Sequence, residues 1–130
     1  MGKRILIVDD NRDGAESLSM LFSVLGHEPV VAFSGEEGLA KFRESAPEFV
    51  FLDIGLPDID GYEVCRRIRN LPHGASAALV AITGWGGEED KKRAREAGFD
   101  AHLTKPVELS QVEDFIKPAN EAPLPPQRAA

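Results

Sequence analysis

Five polar residues in this 130-residue chain stand where four apolar runs end. Asp9 and Asp10 follow the run 3–8, Asp53 follows 49–52, Thr83 closes 77–83, and Lys105 follows 100–103. Unalternated apolar runs of that length, bounded by turn residues, read as strands buried on both faces. In an open parallel sheet, ligands bind at the carboxyl ends of the strands. A carboxylate there needs a reason, because charge beside a core is costly unless it is paired or coordinated. Three such acids within about 4 Å, at an effective dielectric near ~20, repel by on the order of 4 kcal/mol per pair. The cluster asks for a divalent cation. An all-oxygen donor set without thiol or imidazole favours Mg²⁺ or Mn²⁺ over zinc. Mg²⁺ takes one or two carboxylates, keeps several waters, and completes its shell with a phosphate oxygen.

The elements that must position these residues alternate along the chain. Ala15, Leu18, Phe22 and Leu25 recur at helical spacing, with Asp10 or Asn11 as cap, Asp13 in the first turn and Gly26 as the stop. A strand over 29–33 precedes Ser34-Gly35-Glu36-Glu37, whose spacing predicts a capping box ahead of Leu39 and Phe42. Asp60-Gly61-Tyr62-Glu63 opens a third helix in the same way, with Tyr62, Cys65 and Ile68 on one face and Arg66, Arg67 and Arg69 near its end. The helix predicted over 88–97 is almost wholly charged. Glu88 with Lys92 and Glu89 with Arg93 are its expected ion pairs, and Ala94 and Ala97 its apolar contacts, which makes it the loosest packed. Leu109, Val112 and Ile116 define a last helix before Pro118. Asp58 and Asp60 read as turn and cap residues, Cys65, Met20 and the phenylalanines as core, and His27 and His73 as loop residues with no partner in view. Five strands alternating with five helices predict an α/β domain with a central parallel sheet over 1–118. A Pro- and Ala-rich tail or linker is expected over 119–130.

Composition narrows the function classes. A net charge of −7 and a pI near 4.9 argue against direct nucleic-acid binding, which requires basic surfaces. No stretch of about 18 apolar residues occurs and no charged-then-apolar run stands at the start, so neither a membrane span nor a secretory signal is expected. A single cysteine suits a reducing compartment, so a cytoplasmic location is expected.

Asp9-Asp10, Asp53 with Gly55-Leu56-Pro57 and Asp60-Gly61, Thr83-Gly84, and Lys105-Pro106 together resemble the receiver domain of bacterial two-component response regulators. The resemblance runs from about Arg4 to Ile116. It implies a flavodoxin-like sheet of order 2-1-3-4-5. It implies that Asp53 is the phosphoacceptor for a histidine kinase or phosphotransfer protein, and that the chain is a switch and not an enzyme beyond slow self-dephosphorylation. Asp10, Asp53 and the backbone carbonyl of Gly55 would hold Mg²⁺, with Asp9 acting through water. Lys105 and Thr83 would meet the phosphoryl oxygens, and the bond before Pro106 would be cis. Phosphorylation would alter the face made by the fourth helix, fifth strand and fifth helix, where a downstream protein binds.

Three positions depart from the usual pattern. His102 stands where the resemblance implies Tyr or Phe, and is expected to couple less tightly or to add pH sensitivity. Activation shifts that ignore both His102→Tyr and pH would remove that expectation. Gly55 and Trp85, at the positions that tune phosphoryl loss, offer no polar side chain to orient water, so slow dephosphorylation is expected. Competing readings are weaker. A Mg²⁺-dependent aspartyl-phosphate phosphohydrolase of the haloacid dehalogenase type would carry Asp-x-Asp-x-Thr after the first strand. A flavin carrier would need a Ser/Thr/Gly-rich loop there, and an unphosphorylated docking module has little use for an intact acidic site. The Thr83-Gly84-Trp85-Gly86 turn also looks like receivers attached to hybrid sensor kinases.

Overall fold

The computed structural model describes residues 2–84 and 86–116. Five strands, β1 (Arg4–Val8), β2 (Glu28–Ala32), β3 (Phe49–Asp53), β4 (Ala78–Thr83) and β5 (Ala101–Thr104), form one sheet of order β2-β1-β3-β4-β5, with every pairing parallel. Five helices alternate with them: α1 (Arg12–Val24), α2 (Gly35–Ser45), α3 (Gly61–Arg69), α4 (Glu88–Ala97) and α5 (Leu109–Phe115). The expected flavodoxin-like order is the one observed.

The central strands are apolar along their interiors because both faces are covered. Leu6, Val8, Val50, Leu52, Leu79 and Ala81 point to one side and pack with Leu39, Phe42, Val64, Cys65, Ile68, Ala94 and Ala97 of α2, α3 and α4. Their neighbours Ile5, Ile7, Phe49, Phe51, Val80 and Ile82 point to the other, against Ala15 and Phe22 of α1 and Val112 of α5. Each large side chain so buried is worth about 1.5–3 kcal/mol.

Local chemistry sets the helix ends, with some differences from expectation. Asn11, not Asp10, caps α1 by accepting from the Gly14 N–H at 3.1 Å. Ser34 and Asp60 cap α2 and α3 through the Glu37 and Glu63 N–H groups. Glu37 reaches back to the Phe33 N–H at 2.8 Å, closing the box one residue early. Glu63 instead pairs with Arg66 and Arg67.

Four expectations fail. Met20 is 68% exposed on α1 beside exposed Val24, outside the core. His27 does have a partner: its Nδ1 accepts from the Lys3 N–H at 3.0 Å, and its ring meets Phe22 edge-on. On α4, Glu88 meets Lys91 rather than Lys92. Arg93 leaves Glu89 to stack on the Tyr62 ring of α3, 4.2 Å from its centroid, so α4 is tied to α3 by more than two alanines. Pro118 and the tail over 119–130 lie outside the described residues, as does Trp85.

Candidate functional site

Parallel pairing brings the carboxyl ends of β1, β3, β4 and β5 to one edge. Val8 lies level with Leu52, so Asp9 and Asp53 leave the sheet side by side. Asp53 is level with Ile82, and Thr83 with Thr104, which sets Thr83 and Lys105 at the same edge on the next two strands. Asp9, Asp10 and Asp53 each offer a carboxylate oxygen, all within 4.8 Å of one another. Lys105 Nζ donates to Asp53 Oδ2 at 3.0 Å and stands 3.7 Å from Asp9 Oδ2. Asp10 is exposed, whereas Asp9, Asp53 and Thr83 are buried.

Backbone donors fix the two buried carboxylates. The Gly55 N–H donates to Asp53 Oδ1 at 2.9 Å, and the Asn11 N–H to Asp9 Oδ1 at 3.0 Å. The loop after β3 turns back hard against the strand. A Cβ at position 61 would stand 2.6 Å from the Asp53 carbonyl oxygen, so Gly61 is required by that close approach. The Lys105–Pro106 bond is cis, as the resemblance implied, and the Lys105 N–H donates to the Thr83 carbonyl at 2.8 Å.

Charge at this edge is unbalanced. Burial, and then a hydrogen bond shared with the Asp53 carboxyl, push the Asp9 carboxyl up to about 6, against the pull of the Asn11 N–H and of Lys105. Burial draws the Lys105 ammonium down, but its bond to Asp53 and the charges of Asp53, Asp9 and Asp10 outweigh that and hold it above its ordinary value. One ammonium among three clustered acids, all oxygen donors, fits a hard divalent cation such as Mg²⁺.

The other positions singled out by sequence fall around this cluster. Gly84 follows Thr83 at the same edge, exposed. His102 lies level with Ala81 in β5, half-buried, and with Lys91, Ala94 and Arg95 lines a shallow cavity of about 200 Å³ towards α4. Beside the acids, a groove of about 700 Å³ opens between α1 (Gly14, Ser17, Leu18, Leu21) and Pro106-Val107. Two contacts escaped the sequence reading, although Asp58 does serve as a cap, as expected. Arg12 stacks on Phe33, 4.1 Å from the ring centroid, and Asp58 reaches the start of α2. A lone acid in a turn carries no signal for a partner 23 residues away in sequence.

The acidic cluster and its one lysine lie at the carboxyl edge of a 2-1-3-4-5 parallel sheet, the edge at which doubly wound domains bind ligands. A model of the response regulator receiver domain matches residues 5–117, and the chain belongs to that family. It is 29% identical to protein PilG of Pseudomonas aeruginosa, covering 89% of this chain and 86% of that one. It is 33% identical to hybrid signal transduction histidine kinase L of Dictyostelium discoideum, of which it spans only 7%. The CheY-like receiver domain protein of Methanospirillum hungatei superposes with a TM-score of 0.81 at 30% identity, covering 88% of this chain and 90% of that one. Among the described residues, no helix is long and apolar enough to cross a membrane.

Proposed function

We propose that the chain is a signalling switch in which Asp53 accepts a phosphoryl group from a phosphohistidine of a kinase or phosphotransfer protein. The observation that carries this is Lys105 Nζ, 3.0 Å from Asp53 and 3.7 Å from Asp9, a cation beside a buried carboxylate. An Asp53 oxygen attacks phosphorus, the phosphorus–nitrogen bond breaks, and the electron pair returns to the imidazole. Lys105 follows the transferred oxygens as a point charge, and the Thr83 hydroxyl donates to them. Asp10, Asp53 and the Gly55 carbonyl would hold Mg²⁺ or Mn²⁺, with Asp9 acting through water. The cation supplies neutralisation of the phosphoryl charge. The groove along α1 and exposed Met20 and Val24 suit a helix of the donor protein. Output then passes through the face made by α4, β5 and α5, with His102 at its centre, to a downstream protein in the cytoplasm.

The test is incubation with acetyl or carbamoyl phosphate and Mg²⁺, read by intact mass. Wild type gains one phosphoryl unit and Asp53→Ala gains none; equal labelling of both removes Asp53 from the role. The phosphorylated form is long-lived, because Gly55 and Trp85 bring no group that orients water. Combining Gly55→Asn with Trp85→Glu shortens the lifetime about tenfold or more, within the reach of general-base catalysis. An unchanged lifetime contradicts this.

A further inference from the structure

Asp58 is an exposed acid on the loop between β3 and α3, with no part in the chemistry above. Both of its oxygens are engaged. Oδ1 accepts from the Gly35 N–H at 2.8 Å and Oδ2 from the Glu36 N–H at 2.9 Å. These are the opening N–H groups of α2, which have no partner within the helix and lie at its positive end. Ser34 meanwhile accepts from the Glu37 N–H at 3.1 Å, so α2 carries two independent caps, one local and one remote. The junction is tight: a Cβ on Gly35 would come 3.0 Å from Val64 Cγ2, 3.1 Å from Ile59 Cβ and 3.3 Å from Asp58 Oδ1. The Glu36 N–H, chief among several amide donors, holds the Asp58 carboxyl below the usual carboxylate range.

The remote cap acts on the loop as well as on the helix. Residues 54–60 are tied at one end by the Gly55 N–H to Asp53 and the Leu56 N–H to the Ile54 carbonyl, and at the other by the Gly61 N–H to the same carbonyl. Between those ties Leu56 and Ile59 pack against the core, and Asp58 supplies the loop's side-chain hydrogen bonds to α2. We propose that Asp58 is a positioning residue for the cation site: by bracing the loop on the N-terminus of α2, it holds the Gly55 backbone where its carbonyl serves Mg²⁺. This rests on the reading of Gly55 as a ligand given above.

The experiment is calorimetric titration with Mg²⁺ of wild type, Asp58→Ala, Asp58→Asn and Ser34→Ala, with thermal melts in EDTA alongside. Removing either cap lowers the melting temperature in EDTA by several degrees. Asp58→Ala weakens Mg²⁺ binding about tenfold, the scale at which outer-shell partners act. Asp58→Asn keeps an acceptor oxygen and falls in between. Ser34→Ala melts earlier yet keeps Mg²⁺ affinity within about twofold, because its effect stays on the helix. Wild-type affinity in Asp58→Ala, or an equal loss in Ser34→Ala, overturns the proposal. Should Asp58→Ala fold poorly, unchanged affinity in Asp58→Asn overturns it equally. A wild-type chain that binds no Mg²⁺ sinks the cation site itself and this inference with it, whereas binding that ignores Asp58 sinks this inference only.

Discussion

In EDTA at about pH 7.5, Asp9→Asn unfolds at a higher temperature than the wild-type chain and binds Mg²⁺ more weakly. Three clustered acids share one ammonium here, so in the absence of a cation their charges oppose folding. The Asp9 carboxyl is raised from 3.8 to about 6 by burial first and by Asp53 second. A raised acid pKa means the folded state favours the protonated form. Its stabilising effect is whole below the unfolded value and is lost as pH rises through about 6. Above that, the metal-free wild type bears a penalty of up to about 3 kcal/mol, which the amide does not. The gain in the variant is therefore about 5–10 °C at about pH 7.5 and shrinks towards zero near about pH 4. Saturating Mg²⁺ narrows the gap, because the cation stabilises the wild type by mass action. A difference that does not change with pH, or an Asp9→Asn chain that is no more stable in EDTA, refutes the account.

That same edge shows how far the sequence could be read. The runs ending at Asp9, Asp53 and Thr83 are apolar without alternation, short and bounded by turn residues, which is the pattern of a strand covered on both faces. The cluster followed from those ends, because parallel register brings them level. What escaped was partner choice between elements distant in sequence. Asn11 won the α1 cap because its side chain folds back to Gly14, while Asp10 stays at the mouth of the site. Arg93 exchanged a local carboxylate for a ring on α3, and His27 found a backbone N–H at the start of β1. Composition gives each of these side chains a chemistry but no address. Met20 matched no stripe: α1 turns Ala15 and Phe22 inward, and the hundred-degree step puts position 20 outside.

Arg69→Met lowers the stability of the domain by about 3 kcal/mol or more, the largest loss expected from a single change outside the core. Three arginines crowd the end of α3, and their number alone suggests only a match to the helix dipole. Arg66 and Arg67 do face solvent and pair with Glu63. Arg69 shares a face with Tyr62 and Cys65, the side that meets α4, and so turns inward. Its guanidinium donates to the carbonyls of Gly74 and Ala77 at 2.8 Å, to the Gly98 carbonyl at the end of α4, and to Asp100 Oδ2 at 3.0 Å. Asp100 Oδ2 in turn accepts from the Leu79 N–H at 2.9 Å. One planar, fully charged fork thus joins the approach to β4, the C-cap of α4 and the start of β5, the strand that leads to Lys105. Methionine fills the stem but removes the cation facing the Asp100 carboxylate, which is the costly half of breaking such a pair. Urea unfolding measures the loss directly. Adding Asp100→Asn to Arg69→Met then costs less than the two single changes summed, because the acid has already lost the guanidinium. An Arg69→Met chain within about 1 kcal/mol of wild type, or strict additivity with Asp100→Asn, shows that the fork holds nothing together.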